Sequence, residues 1–297
     1  MYKISKMLRS SPAAESLPRL ASTVVILAGK EERSRGSSLA ASAVDYEVLM
    51  VRRHAKARFI PDAYVFPGGG VDDEDAEAVE RYLHRAGLPS PRPDLYSARV
   101  ASLRELSEET GCVLRPDGSV EAVSTFQQAR RGLAPDIYDV EAAPLLTLLG
   151  RWITPEGYAF RNDTYFFGAV VDSKESAPQQ LALTPDPSEI ADIVWIAPDE
   201  ALRRHEDPRF DFTLPAPTFF LLHALAQERQ LARLSGRWEA QRASIREPEV
   251  VPITQRVARY NSVENGGRTF FMPGSYYCSL SPSALLRDGH YQYTSLM

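Results

Sequence analysis

Hydrophobic and polar positions follow two different rhythms along this chain, and together they predict a protein of mixed α and β elements. Short apolar runs bounded by glycine, proline or polar loops are typical of strands. The predicted strands are residues 22–27, 46–51, 63–66, 145–153, 164–171 and 190–196. A helical rhythm is clearest where Val100, Leu103 and Leu106 recur at three-residue spacing and Gly111 follows as a left-handed cap. The predicted helices are residues 95–110, 198–204 and 217–234.

Composition assigns the chain to the ordinary globular proteins. Its 297 residues suffice for one large domain or two small ones. With 44% hydrophobic and 25% charged residues, it is not disordered, collagen-like or built on disulfides. The formal net charge of −5 excludes a general basic surface. We therefore expect neither nucleic acid nor membrane as a partner, and any phosphate ligand must be bound locally.

Cysteine content bears on the compartment. Cys112 and Cys278 are too few for a disulfide framework, and no segment contains the roughly 20 apolar residues that cross a bilayer. We expect reduced thiols and a cytoplasmic protein. The cations that precede Glu15 and the end Ser295-Leu296-Met297 leave a mitochondrial or peroxisomal location as alternatives.

The candidate chemistry lies in the last two turns of the first predicted helix. Glu105, Glu108 and Glu109 are spaced i, i+3 and i+4, so their carboxylates share one helical face. A divalent cation between them would relieve the repulsion, and Mg²⁺ commonly keeps waters and substrate phosphates beside a few carboxylates. Arg104 could orient a carboxylate through paired hydrogen bonds. By itself, the cluster favours a solvated acidic face over a metal site.

A glycine turn after a predicted strand makes the metal interpretation more specific. Phe66-Pro67-Gly68-Gly69 ends that strand, and its glycines would let backbone carbonyls approach an ion bound by the helix. The two segments together resemble the Nudix hydrolase family, whose box reads Gly, five residues, Glu, seven residues, Arg-Glu-apolar-any-Glu-Glu-any-Gly-apolar. Gly69 and residues 104–112 match its two halves, with Cys112 as the apolar residue. The resemblance implies an α/β/α sandwich with a mixed central sheet.

This box departs from the family pattern in its middle. An insertion of 21 residues separates the two halves. Asp75 stands at the offset of the middle glutamate and Glu74 lies beside it, so either residue, or neither, could take that position. We expect the Nudix domain to span residues 21–235, with the insertion at about 71–97. Residues 1–20 would form a tail and residues 236–297 an extension packed on the domain.

Interrupted boxes of this kind resemble the branch of coenzyme A and acyl-coenzyme A diphosphatases. A signature of that branch is Arg, four residues, Arg, three residues, Gly, three residues, Phe-Pro-Gly-Gly. Arg53, Arg58 and Phe66 keep the spacing, whereas Asp62 replaces the glycine. The resemblance implies hydrolysis of coenzyme A or its acyl form to 3′,5′-ADP and phosphopantetheine or its acyl form. Two alternatives remain: another Nudix substrate (ADP-ribose, NADH or a dinucleoside polyphosphate), and a non-catalytic nucleotide-binding regulatory module.

The resemblance also implies roles for individual residues. Mg²⁺ or Mn²⁺ would be the cofactor, and Arg104 would orient the carboxylates around it. Arg53 and Arg58 would bind substrate phosphates, because guanidinium groups match phosphate geometry. The implied metal ligands are Glu105, Glu108, Glu109 and the backbone of Gly69. The candidates for the general base are Glu105, Glu156 and Glu189.

Overall fold

The computed structural model describes the chain over residues 17–30, 44–57, 60–87, 93–122, 140–154, 160–171, 183, 185 and 187–243, and the backbone of three short strands beyond residue 250. The strands are β1 (Arg19–Gly29), β2 (Tyr46–Arg53), β3 (Tyr64–Val65), β4 (Gly68–Gly70), β5 (Cys112–Leu114), β6 (Val120–Ala122), β7 (Thr147–Ile153), β8 (Asn162–Val171), β9 (Ile190–Ile196), β10 (Ile253–Thr254), β11 (Arg256–Arg259) and β12 (Thr269–Met272). The helices are α1 (Asp73–Ala86), α2 (Pro93–Thr110), a 3₁₀ helix (Val140–Leu145), α3 (Pro198–Glu206), α4 (Ala216–Gln227) and α5 (Leu231–Ala243).

Eight of the described strands form one mixed sheet. Its order is β10-β7-β8-β1-β2-β3, while β4 also pairs with β1 and β9 with β2. The pairs β1–β8 and β10–β7 are parallel, and the other pairs in this sheet are antiparallel. Strand β1 lies at the centre, so the residues at its two ends are held from both sides.

Alternation along β1 separates two hydrophobic cores. Val24 and Ile26 face α2 and pack with its Leu103 and Leu106. Val25 and Leu27 face the other way, into a core shared with α3, α4 and α5. Helices therefore cover both faces of the sheet. The expected α/β/α sandwich with a mixed central sheet is confirmed.

All six predicted strands are present, within a few residues of their predicted ends. The single helix predicted over residues 217–234 is wrong, because α4 ends at Gln227 and α5 begins at Leu231. The break is stabilised by the start of β2: Asp45 N–H donates to the Arg229 carbonyl at 3.0 Å, and the Asp45 carboxylate accepts from Leu231 N–H at 2.7 Å. A side chain distant in sequence therefore caps a new helix at this point.

The sequence analysis did not predict α1, which occupies the insertion in the box. Its start is stabilised by Asp75, whose carboxylate accepts from the Asp72 N–H at 2.9 Å, and it ends at Gly87 with φ +64°. Val79 is buried against the core beneath α2. The insertion thus adds a helix beside the candidate site.

The described helices continue past the expected domain end at residue 235. In α5, Trp238 is buried, and its ring lies where a Cβ at Gly168 would be. Gln241 donates to the Leu148 carbonyl at 2.9 Å. Residues 236–243 therefore pack on β7 and β8.

The sequence predicts no membrane-spanning segment and reduced cysteines, and the structure bears on both expectations only for the described residues. Within the described ranges, no helix combines the length and the apolarity needed to cross a bilayer. Cys112 forms no disulfide with any residue that the structure describes, and its burial raises its pKa to about 12. Cys278 lies outside the described residues.

Candidate functional site

The candidate site is organised around the guanidinium group of Arg104, which is 7% exposed. Its Nε and Nη2 donate to the two carboxylate oxygens of Asp75, each at 3.0 Å, and Nη2 also donates to the Gly70 carbonyl at 2.8 Å. Its Nη1 donates to Glu105 at 2.8 Å and to Glu108 at 3.3 Å. Burial opposes the charge of Arg104, but the hydrogen bond to Asp75 and the surrounding carboxylates raise its pKa. Arg104 therefore stays charged and fixes two of the three glutamates.

The two candidates for the middle carboxylate of the box are on α1, and they face in different directions. Asp75 has a fully buried side chain and forms the paired bonds to Arg104. Glu74, one residue earlier, is exposed. The structure therefore brings Asp75, and not Glu74, to the site. Asp75 contacts Arg104, so it acts on the glutamates through that arginine.

Glu105 lies directly against the glycine turn. A Cβ at Gly69 would overlap the Glu105 carboxylate, so only glycine permits this approach. The pKa of Glu105 is raised to about 7, first by burial and then by the charges of Glu108 and Glu189, while Arg104 opposes the shift. Near neutral pH, Glu105 can therefore hold or release a proton.

Glu109 and Glu108 complete the acidic face and differ in burial. Glu109 is buried, and its Oε2 accepts from the Gly68 N–H at 3.0 Å. Burial, then the charge of Glu105, raises the pKa of Glu109 well above its usual range. The Glu108 side chain is 37% exposed, and burial raises its pKa in the same direction. All three carboxylates are thus less acidic than in water.

This donor set fits a hard divalent cation, although it is not a complete cage of protein ligands. The described residues contain no group of three or more His, Cys, Asp or Glu side chains arranged to bind one ion together. Mg²⁺, however, is usually bound by one or two carboxylates, with water and substrate phosphates as its other ligands. A cation would also offset the repulsion that raises the pKa of Glu105 and Glu109.

Two other predicted residues lie near this acidic face. The Arg53 Nε atom is buried and has no hydrogen-bond partner within the part of the chain that the structure describes. The charge of Arg53 lowers the pKa of Glu109 against the larger effect of burial. Glu189 is exposed, and its charge contributes to the raised pKa of all three glutamates. The Glu189 carbonyl accepts from the His54 N–H at 2.7 Å, which fixes this loop beside β2. Arg58 and Glu156 lie outside the described residues.

Asp62, where the diphosphatase signature has glycine, adopts the backbone conformation that glycine favours. Its φ is +58°, and Asp is one of the few other residues that enter this region readily. Its carboxylate lies 3.5 Å from Nη2 of Arg52, which also binds Asp211 at 2.5 Å. The substitution therefore changes the side chain but keeps the shape of the turn. Ile60, two residues earlier, has φ +44°, which is strained for a β-branched residue.

A cleft of about 340 Å³ opens beside the glycine turn, between the sheet and the first turn of α4. Its walls include Phe66, Trp152, Phe166 and Pro215. From the sequence, Trp152 and Phe166 are expected in the core rather than at the site. They are in the second core and also line the cleft, and nothing local in the sequence distinguishes these two positions. Arg53 and Gly69 line the same cleft. The site thus joins an acidic face, a glycine turn and a largely apolar cleft.

The fold and the site define an α/β/α protein with a carboxylate-bearing helix set against a glycine turn, and the comparisons agree. The family model described as the NUDT19 Nudix domain matches residues 18–95. The chain is 27% identical over 267 residues to acyl-coenzyme A diphosphatase NUDT19 of Gallus gallus, with 69% of this chain and 67% of that protein covered. It is 28% identical over 203 residues to putative nudix hydrolase 7 of Caenorhabditis elegans, with 66% and 61% covered.

A solved structure agrees with these sequence matches. The NUDIX hydrolase of Alicyclobacillus acidocaldarius superimposes with a TM-score of 0.54 at 23% identity, covering 75% of this chain and 97% of that one. This likeness concerns the fold. The chain is thus similar to Nudix hydrolases in sequence and in fold. It spans about 61% to 67% of the length of the two curated relatives described above.

Proposed function

We propose that this protein is a metal-dependent diphosphatase that hydrolyses coenzyme A or acyl-coenzyme A to 3′,5′-ADP and phosphopantetheine or its acyl form. The observation that carries the proposal is the close approach of the Glu105 and Glu109 carboxylates to the Gly68-Gly69 turn. A likeness to proteins named acyl-coenzyme A diphosphatase supports the choice of substrate. The reaction breaks a phosphoric anhydride bond by attack of water.

The acidic face would bind the cofactor. Glu105, Glu108 and Glu109, with the backbone carbonyl of Gly69, are the residues that would bind Mg²⁺ or Mn²⁺. When bound, the ion would neutralise charge on the diphosphate and lower the pKa of the attacking water. Arg104 keeps Glu105 and Glu108 in one orientation through its Nη1 bonds, and this preorganisation reduces the cost of reaching the reactive geometry.

The proton of the attacking water needs an acceptor, and three residues are candidates. Glu105 has a pKa of about 7, which suits a general base near neutral pH. Glu189 is exposed, and its charge acts on the same carboxylates. Glu156 is the third candidate. Separate Glu156→Gln and Glu189→Gln variants would distinguish them, because the variant that lacks the base should lose turnover with little change in KM. Full turnover in both variants would leave Glu105 as the base.

The substrate would occupy the cleft with its diphosphate toward the glycine turn. Arg53 lies near Glu109 and lines the cleft, so its guanidinium group is available to a phosphate beside the metal ions. Arg58, five positions further on in the signature, would bind a second phosphate. The apolar walls suit a nucleoside or pantetheine group, as in ligand clefts generally. Asp62 keeps the turn of the signature and therefore does not argue against coenzyme A.

The test is a turnover assay of the purified full chain with Mg²⁺ or Mn²⁺. The panel contains coenzyme A, short- and long-chain acyl-coenzyme A, ADP-ribose and NADH, with products separated by chromatography and mass. We expect 3′,5′-ADP from the coenzyme A substrates and a loss of about a hundredfold or more in Glu108→Gln. Glu108 is the most exposed of the three glutamates, so its amide variant should fold.

Glu121→Gln is the matched control, because the exposed Glu121 side chain pairs with Arg115 at the surface, away from the acidic face. It should retain full turnover. Turnover of ADP-ribose or NADH alone would transfer the protein to another Nudix substrate class. No turnover with either metal would favour the nucleotide-binding module.

A further inference from the structure

Two residues that line the cleft each have a buried side-chain atom without a hydrogen-bond partner among the described residues. The atoms are Ser22 Oγ and Arg53 Nε. Ser22 is only 1% exposed, and both residues line the cleft beside Gly68 and Gly69. A buried polar group without a partner is costly, and such groups are uncommon in folded proteins. Both residues also lie at the acidic face, because Ser22 pairs with Gly69 and the charge of Arg53 acts on Glu109, so a ligand bound there would supply the missing partners.

The position of Ser22 in β1 directs its side chain toward the acidic face. Ser22 pairs with Gly69 across the β1–β4 ladder, and residues paired in this way have side chains on the same face of the sheet. A Cβ at Gly69 would meet the Glu105 carboxylate. Val24, two residues further along β1, lies in the core beneath α2. Ser22 therefore shares the face of the sheet on which Glu105 lies.

The chemistry of the two orphaned atoms defines the ligand class. A guanidinium group only donates hydrogen bonds, and a serine hydroxyl can donate one. This pair suits an anionic oxygen, whereas the nearby glutamates suit a cation. A metal-bound diphosphate has both features, because its oxygens can accept from the donors while the ion contacts the carboxylates.

We propose that Ser22 is a substrate-binding residue whose hydroxyl donates to a non-bridging diphosphate oxygen, beside the Arg53 guanidinium group. The inference rests on the proposed function for the identity of the whole substrate. The subsite itself requires only a diphosphate. It also explains why a serine interrupts the apolar pattern of β1 at this one inward position, between Leu20 and Val24.

Inorganic pyrophosphate is the probe, and its binding is measured by titration calorimetry on the full chain at one fixed, saturating Mg²⁺ concentration, so that parent and variant differ only at residue 22. Ser22→Ala should bind pyrophosphate about tenfold more weakly, the effect expected for one hydrogen bond to a charged group. Its free energy of unfolding should be unchanged or increased, because the variant removes a buried hydroxyl that has no partner in the free protein.

Ser102→Ala is the matched control. Ser102 is fully buried in α2, and its hydroxyl donates to the Arg99 carbonyl at 2.7 Å. The same chemical change there should lower stability and leave pyrophosphate affinity unchanged. The two serines are thus expected to show opposite patterns of binding and stability.

An unchanged pyrophosphate affinity in Ser22→Ala would overturn the proposal. A loss of stability like that of Ser102→Ala, or no pyrophosphate binding by the parent protein, would overturn it as well. Coenzyme A turnover is scored separately. If the protein binds pyrophosphate through Ser22 but does not hydrolyse coenzyme A, the subsite stands and the proposed function is wrong. If it hydrolyses coenzyme A but Ser22→Ala binds pyrophosphate normally, only the subsite is wrong.

Discussion

Two regions of the site are built in different ways. The α2 box, residues 104–111, carries its functional groups within two turns of one helix, and Arg104 contacts Glu105 and Glu108 directly. The signature loop joins β2 to β3 over residues 54–63, and its described residues depend on backbone shape and distant partners, with positive φ at Ile60 and Asp62. The comparison teaches that the acidic chemistry is encoded locally on a rigid element. The proposed substrate contacts, by contrast, depend on a loop that the rest of the fold positions.

The largest expected effect tests the α2 box itself. Arg104→Ala leaves the fully buried Asp75 without its counter-charge, and breaking a buried pair in this way costs about 3–5 kcal/mol. We therefore expect urea unfolding to show a loss of that size, together with loss of turnover. Adding Asp75→Asn to the variant should restore part of the stability, because the uncompensated charge is gone.

Arg115→Ala is the control for a lost ion pair. Arg115 pairs with Glu121 at the surface, and such exposed pairs contribute about 1 kcal/mol or less. If Arg104→Ala were no more destabilising than Arg115→Ala, the α2 box would not be the rigid unit described above.

Metal binding by the α2 box should strengthen with pH. The pKa of Glu105 in the metal-free protein is about 7, so below that pH an ion must displace its proton. Below pH 7 the proton bound to Glu105 favours the metal-free protein, and this competition with the metal ion is lost as pH rises through 7. Apparent Mn²⁺ affinity should fall about tenfold for each pH unit below 7.

Calorimetric titration with Mn²⁺ at pH 5.5, 6.5 and 7.5 measures this slope. Glu105→Gln removes the titrating group, so its weaker binding should depend less on pH. A parent protein with the same affinity at all three pH values would show that Glu105 is not a ligand.

Gly69→Ala tests the contact between the two regions. The added Cβ would overlap the Glu105 carboxylate, and overpacking of this kind costs about 1–3 kcal/mol. Turnover should fall by about a hundredfold, since small displacements of catalytic groups have effects of that order. Gly150→Ala is the control, because a Cβ at Gly150 meets nothing within 4 Å. Equal turnover in both variants would contradict the assignment of Gly69.

The functional groups of the α2 box lie close together in the sequence, so much of the box could be predicted from the sequence. Helical spacing alone puts Glu105, Glu108 and Glu109 on one face, and the structure agrees. The choice between Glu74 and Asp75 could not be made, because it depends on how α1 rotates against α2. That helix itself was missed, since its acidic start is followed by a segment rich in proline.

Other elements depended on contacts that a linear pattern does not contain. The division between α4 and α5 is fixed by Asp45, which caps Leu231 from 186 positions earlier in the chain. Ser22, Trp152 and Phe166 lie in strands that pack into the core, so their position on a cleft follows only from the sheet register. The sequence therefore predicts the layers and the acidic helix. The residues that line the cleft can be identified only from the folded structure.

The smallest effects on stability and KM are expected at Asp62. Two substitutions there distinguish the backbone shape of the signature loop from the chemistry of the side chain. Asp62→Gly keeps the left-handed turn but loses the 3.5 Å contact with Arg52, so stability should change by less than about 1 kcal/mol and the KM for coenzyme A should stay the same. Asp62→Val puts a β-branched residue at φ +58°, which costs about 1–2 kcal/mol. Because this strain can be relieved by moving the loop that follows Arg53, the KM should rise in that variant. If Asp62→Gly raised the KM as much as Asp62→Val, the carboxylate rather than the turn would be what substrate binding requires.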